Sequence, residues 1–128
     1  MVMYVLDAVG NPVPEPDTRK AAEFFSKDAN RIVAQHDVEN SRVSTVFLGV
    51  DHSHGSGMPV LWETMVFGGH LDQHQERYTS HEAAVAGHMA ILRSLADFLG
   101  KPVHEVAIGA PPPGYPKTIY DHLLEDEG

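Results

Sequence analysis

An α+β domain is what this sequence predicts, and three stretches predict it. Residues 43–50 and 60–67 are rich in Val, Thr, Phe, Leu and Trp and flank the run DHSHGSGMP, the pattern of two strands joined by a turn. Residues 80–99 carry apolar side chains at helical spacing, and residues 18–27 carry a shorter stripe of the same kind. The expected order is β-α-β-β-β-α, a two-layer domain in which an antiparallel meander sheet carries both helices on one face. The domain is placed at residues 1–100, and residues 101–128 read as a Pro-rich, acidic C-terminal tail with room for a short helix.

Taken in order, residues 3–6 form a short strand, and the cluster Gly10, Asn11 and Pro12 makes a turn. Pro14 and Pro16 keep a helix from starting before Asp17, the expected N-cap. Ala21, Ala22, Phe24 and Phe25 then give the first helix its apolar stripe. Residues 31–38 read as a strand with Ile32, Ala34 and Val38 on one side and Val33 on the other, and Glu39, Asn40 and Ser41 turn the chain into the hairpin.

If Val50 lies opposite Pro59, Thr45 meets Thr64, Val46 meets Glu63 and Phe47 meets Trp62. Both faces of this ribbon read as apolar, so the face away from the helices needs cover from the tail or from another subunit, and a homo-oligomer is expected.

Residues 68–78 are a polar connection. Thr79 or Ser80 caps the long helix, Thr79 and Glu82 have capping-box spacing, and Gly100 with Pro102 ends it. Its stripe takes in Ala84, Val85, Met89, Ile91, Leu92, Leu95, Phe98 and Leu99. Gly87 interrupts this helix at a cost of ~1 kcal/mol against alanine, which marks a close approach to the sheet or to an aromatic ring. In the tail, PPPGYP at 111–116 is extended, and Ile119, Tyr120, Leu123 and Leu124 have the spacing of a short amphipathic helix.

Composition narrows the function. The chain has no cysteine, which removes disulfides, thiolate zinc sites and thiol catalysis and fits a reducing cytoplasm. The first ten residues lack a basic flank and are broken by Asp7, so neither a signal peptide nor a membrane anchor is expected. A formal charge of −9 opposes affinity for phosphate backbones, so nucleic acid is not an expected partner.

Nine histidines raise the question of metal. His52 and His54 lie beside Asp51 in the hairpin loop, His70 and His74 are four apart, and His81 and His88 are seven apart on one helix. There is no HExxH and no calcium ladder, so no metal or other cofactor is assigned, with His52 and His54 as weak candidates. The GSG of the loop lies between antiparallel strands and does not open a helix, which removes the phosphate-loop reading.

Glu63, between Trp62 and Met65, is expected to be at least partly buried and to need a partner among Arg77, Tyr78, Arg31 and His88. One reading is a structural ion pair; the other is a general base acting with Asp51 and His52.

The blocks STVFLGVDH, PVLWETMVFGG and RYTSHEAAVAGH, in this order and at this spacing, resemble a group of small proteins encoded in tailed-phage genomes and prophages. Those proteins read approximately VSTVFLGLDH, PPLLFETMVFGG and RYSTWEEAxAGH, and the likeness spans residues 3–99. This chain departs from them in having His81 at a position where tryptophan is usual, and in its longer acidic tail.

The resemblance implies a phage accessory protein working in the host cytoplasm. Asp51, His52, Glu63, Arg77, Tyr78, Gly87 and His88 match the shared pattern, and all of these but Gly87 are the candidate ligand-binding side chains. The leading expectation is a non-enzymatic binding module for a host protein or a small ligand. The alternatives are a small metal-dependent or acid-base enzyme using Asp51, His52, Glu63 and His88, and an acidic inhibitor that mimics DNA.

Overall fold

The computed structural model describes residues 2–53 and 57–109. Its centre is a five-stranded antiparallel sheet built from β3 (Ile32–Val38), β4 (Ser41–Phe47), β5 (Trp62–Phe67), β6 (Gln75–Tyr78) and β7 (Ala107–Ile108), in the spatial order β6-β5-β4-β3-β7. The expected α+β architecture is therefore the one observed. The β4–β5 register is also as expected, with Thr45 opposite Thr64, Val46 opposite Glu63 and Phe47 opposite Trp62.

A long helix, α3 (His81–Leu99), lies across β3, β4, β5 and β6. Period-2 alternation sends Ala34, His36, Val38, Val43, Thr45, Phe47, Trp62, Thr64 and Val66 to the face beneath it, and all of them are buried. The helix supplies Ala84, Val85, His88, Met89, Ile91, Leu92, Leu95 and Ala96 from its side.

Ser80 caps α3 by accepting the Ala83 N–H at 3.0 Å. The residue three beyond the cap is thus Ala83 and not a glutamate, so the capping box anticipated from Thr79 and Glu82 does not form. At the other end Gly100 takes the left-handed conformation, φ 70°, that lets the chain leave the helix. Phe98, counted in the apolar stripe, is instead 62% exposed and stacks on the His70 ring with centroids 3.8 Å apart.

The shorter helix α1 (Thr18–Phe25) starts where expected, with the Asp17 carboxylate accepting from the Arg19 and Lys20 N–H groups. Its Phe25 ring stacks on Phe47 at 5.9 Å and its Phe24 ring meets Phe47 edge-on at 6.2 Å, which places α1 on the face that α3 covers. A single turn of helix, α2 (Asp28–Arg31), leads directly into β3.

The far face of the sheet corrects the expectation that both faces are apolar. Gln35, Asp37, Arg42, Ser44, Glu63, Gln75 and Arg77 stand there, joined as Gln35–Ser44 (3.0 Å), Asp37–Arg42 (2.9 Å) and Glu63–Arg77 (3.0 Å). Val46 and Met65 are half-buried among them, and Phe67 and Ile108, the latter paired with Asp37, are exposed on this face, at 55% and 75%. The apolar impression came from β4 and β5 alone; their neighbours β3 and β6 bring the polar side chains that make this a face compatible with water.

Several short elements escaped the sequence pattern. β1 (Tyr4–Leu6), a strand expected at residues 3–6, pairs in a separate two-stranded ribbon with β2 (Pro12–Pro14), where a turn had been expected. Prolines are tolerated in β2 because it is an edge strand, and the Asp7 carboxylate closes the turn by accepting from the Val9 and Asn11 N–H groups. β6, inside the stretch read as a polar connection, is likewise an edge strand held by its ladder to β5 and so needs no apolar alternation.

Past Gly100, the helix turn α4 (Val103–Val106) buries Val103, and β7 pairs with β3, so regular structure continues to Ile108. The anticipated helix around Ile119 and Leu123 and the extended run at 111–116 lie outside the described residues. No helix among those residues is long and apolar enough to cross a membrane.

Candidate functional site

A groove of about 690 Å³ is bounded by the β1–β2 turn, α2, the start of β3 and the N-terminus of α3. Its base is apolar because Phe24, Ile32, Val33 and Phe47 arrive there from α1, β3 and β4. Asp7, Asn11, Asn30 and Glu82 add polar groups. The Asn30 amide donates to the Phe24 carbonyl at 2.8 Å, which ties α2 to the end of α1 and holds this wall in place.

His81 also lines the groove, and burial lowers its pKa, which favours the neutral imidazole. A volume of this size, with an apolar base and a few polar groups, is that of an organic-ligand site. A second hollow near Leu95 and Phe98, of about 90 Å³, is too small for one.

Beneath α3 runs a buried polar chain. His36 Nδ1 lies 2.8 Å from His88 Nε2, His88 Nδ1 lies 2.7 Å from Thr45 Oγ1, Thr45 bonds Thr64, and the Tyr78 hydroxyl lies 3.0 Å from Thr64 Oγ1. A hydroxyl both donates and accepts, the tautomers of His36 and His88 set which partner donates at each imidazole link, and the Tyr78 hydroxyl also reaches Glu76 Oε2 at 3.3 Å.

Burial is the first cause holding both histidines far below their ordinary range, His36 to about 4 and His88 to about 3. Burial also pushes the Tyr78 phenol up. Neutral hydrogen-bonded groups join sheet and helix without introducing a charge into the core.

The side chains singled out from the sequence go to three different places. Asp51 closes the β4–β5 loop: its Oδ1 accepts from the Val60 and Ser53 N–H groups, at 2.9 and 2.8 Å, and these bonds, with one from the Ser53 hydroxyl, hold its pKa below the usual carboxylate value. His52 belongs to the same loop closure, its N–H donating to the Val60 carbonyl at 2.9 Å.

Glu63 and Arg77 form the cross-strand pair on the far face of the sheet, where Gln75 also donates to Glu63. Of the partners expected for Glu63, Arg77 is the one observed, and it ties β6 to β5; it does not tie sheet to helix. Tyr78 and His88 lie on the opposite face, in the buried chain.

Glu63 and His88 are thus separated by the sheet, and Asp51 with His52 lies at its end, so these four side chains share no reacting point. Among the described residues no three His, Cys, Asp or Glu side chains gather where a metal ion could be held. His54 lies outside those residues.

Sequence reasoning missed His36, Thr45 and Thr64. The signal for His36 was present, since it falls between Ala34 and Val38 on the buried side of one strand; the Thr45–Thr64 pair follows from the register itself. The groove had no such signal. Comparison with protein-family models, with curated proteins and with solved structures finds no match.

Proposed function

We propose that this protein is a phage-encoded accessory binding module, acting without catalysis, that holds a small ligand in the groove above Phe24 and Phe47. The observation that carries this reading is the groove itself: about 690 Å³ of concave surface with an aromatic and aliphatic base and polar groups from separate segments around it. The dispersal of Asp51, His52, Glu63 and His88 removes the support for the enzyme alternative built on those four. The resemblance of three sequence blocks to tailed-phage proteins is what supports reading it as a phage accessory protein.

The chain has one tryptophan, Trp62, whose ring lies 5.3 Å from that of Phe47, so its fluorescence reports on the base of the groove. The test is a small-molecule screen read by Trp62 emission and thermal melting, with native mass spectrometry of protein incubated in a host metabolite extract. A ligand at one hundred times its Kd raises stability by about 2.7 kcal/mol. Loss of that shift in Ala29→Phe, which narrows the groove from an exposed position, is the supporting result. Ligands that bind equally well to Ala29→Phe would place the site elsewhere.

A further inference from the structure

We infer that the ligand of the groove is a small organic cation, an ammonium group carried on an apolar or aromatic body. This rests on the groove being the ligand site and adds to that reading the charge and chemical class of the occupant.

Among the described residues Asp7 and Glu82 are the charged side chains of the groove lining, and neither lysine nor arginine lines it. His81, the other titratable group there, is half-buried, and its lowered pKa leaves it uncharged near neutral pH. One feature of the site opposes a cation: the start of α3, which carries roughly +0.5 elementary charge. Two full carboxylate charges outweigh it, and Ser80 and Glu82 already occupy the first turn of that helix.

Phe24 is half-buried and lines the groove, an aromatic wall against which an ammonium gains cation–π attraction. The net charge of −9 draws cations toward the whole molecule and works against an anion. The walls come from the β1–β2 turn, α2, β3 and α3 and surround a volume typical of a compact ligand, which favours a free small molecule over a side chain presented by a partner protein.

The test uses the full chain and three matched probes, phenethylamine, 2-phenylethanol and phenylacetate, titrated against Trp62 emission and confirmed by calorimetry. The expected result is saturable binding of the amine about ten-fold tighter than the alcohol, with the carboxylate weakest. Glu82→Gln, at an exposed position, weakens the amine about three-fold and leaves the alcohol unchanged.

If the alcohol or the carboxylate matches the amine, and Ala29→Phe removes all three, the groove stands and the cation assignment is overturned. If none of the probes binds, the groove reading falls and the cation with it. If the amine fails while a Phe-Lys dipeptide amide binds saturably, a protein partner replaces the small molecule and the inference is overturned.

Discussion

His36 Nδ1 and His88 Nε2 lie 2.8 Å apart, each side chain about 1% exposed, and this contact joins the middle of β3 to the middle of α3. A donor–acceptor bond between two imidazoles at full burial requires that at least one be neutral, and burial drives both that way.

Acid should therefore unfold this protein earlier than its carboxylates alone would. The folded-state pKa values, about 4 for His36 and about 3 for His88, lie below the unfolded value of 6.5. Between those limits the unfolded chain binds more protons, so stability falls as the pH drops below about 6.5, by up to about 1.4 kcal/mol per pH unit for each histidine. Urea unfolding at pH 7.5 and 5.0 should differ by roughly 2 to 4 kcal/mol. His88→Gln should flatten part of that slope. Equal stability at the two pH values would mean that the pair is not buried and neutral.

Thr45→Val and Thr64→Val keep side-chain shape and each remove a hydroxyl that makes two links of the buried chain. Each should lower stability by about 1–3 kcal/mol, because a buried neighbour loses its partner. The double variant should cost less than the sum, since the two hydroxyls bond each other. Strict additivity in denaturant melts would show that the chain is not coupled.

Gly87→Ala should destabilise, although alanine is the better helix former. A Cβ at this position would overlap the Tyr78 ring, whose displacement would break the bond to Thr64. In a Tyr78→Ser background the same change should become favourable by up to about 1 kcal/mol, the ordinary propensity difference. A cost that persists in that background would place the obstruction elsewhere.

Glu63→Ala should lower stability by less than about 1 kcal/mol. The Arg77 side chain it leaves behind is 41% exposed and can turn to water. A loss of several kcal/mol in thermal or urea melts would mean that the pair is more deeply buried than its position on the open sheet face allows.

The helix cap at Asp17, the start of α3 at one of two candidate caps, its stop at Gly100, the tight approach at Gly87 and the β4–β5 register were legible in the sequence, because each depends on residues close along the chain or on the strict period of a strand. Edge strands β2 and β6 were not, since an edge is held by backbone bonds to its neighbour and leaves little side-chain pattern. The polar character of the sheet's far face likewise depended on which strands flank the hairpin.

The sequence by itself determined a helix-covered antiparallel sheet and which residues of β4 and β5 share a face; in β3 the register shifts between Ile32 and Ala34, and Val33, expected on the other side, is buried in the same core as Ala34 and Val38. Tertiary structure alone decided that His36, Thr45, Thr64, Tyr78 and His88 meet, and that the β1–β2 turn, Phe24, Val33 and Glu82 enclose a groove. Local periodicity tells a side chain which way to point along its own element. What stands opposite it is set by how separate elements pack, and no spacing along the chain encodes that distance.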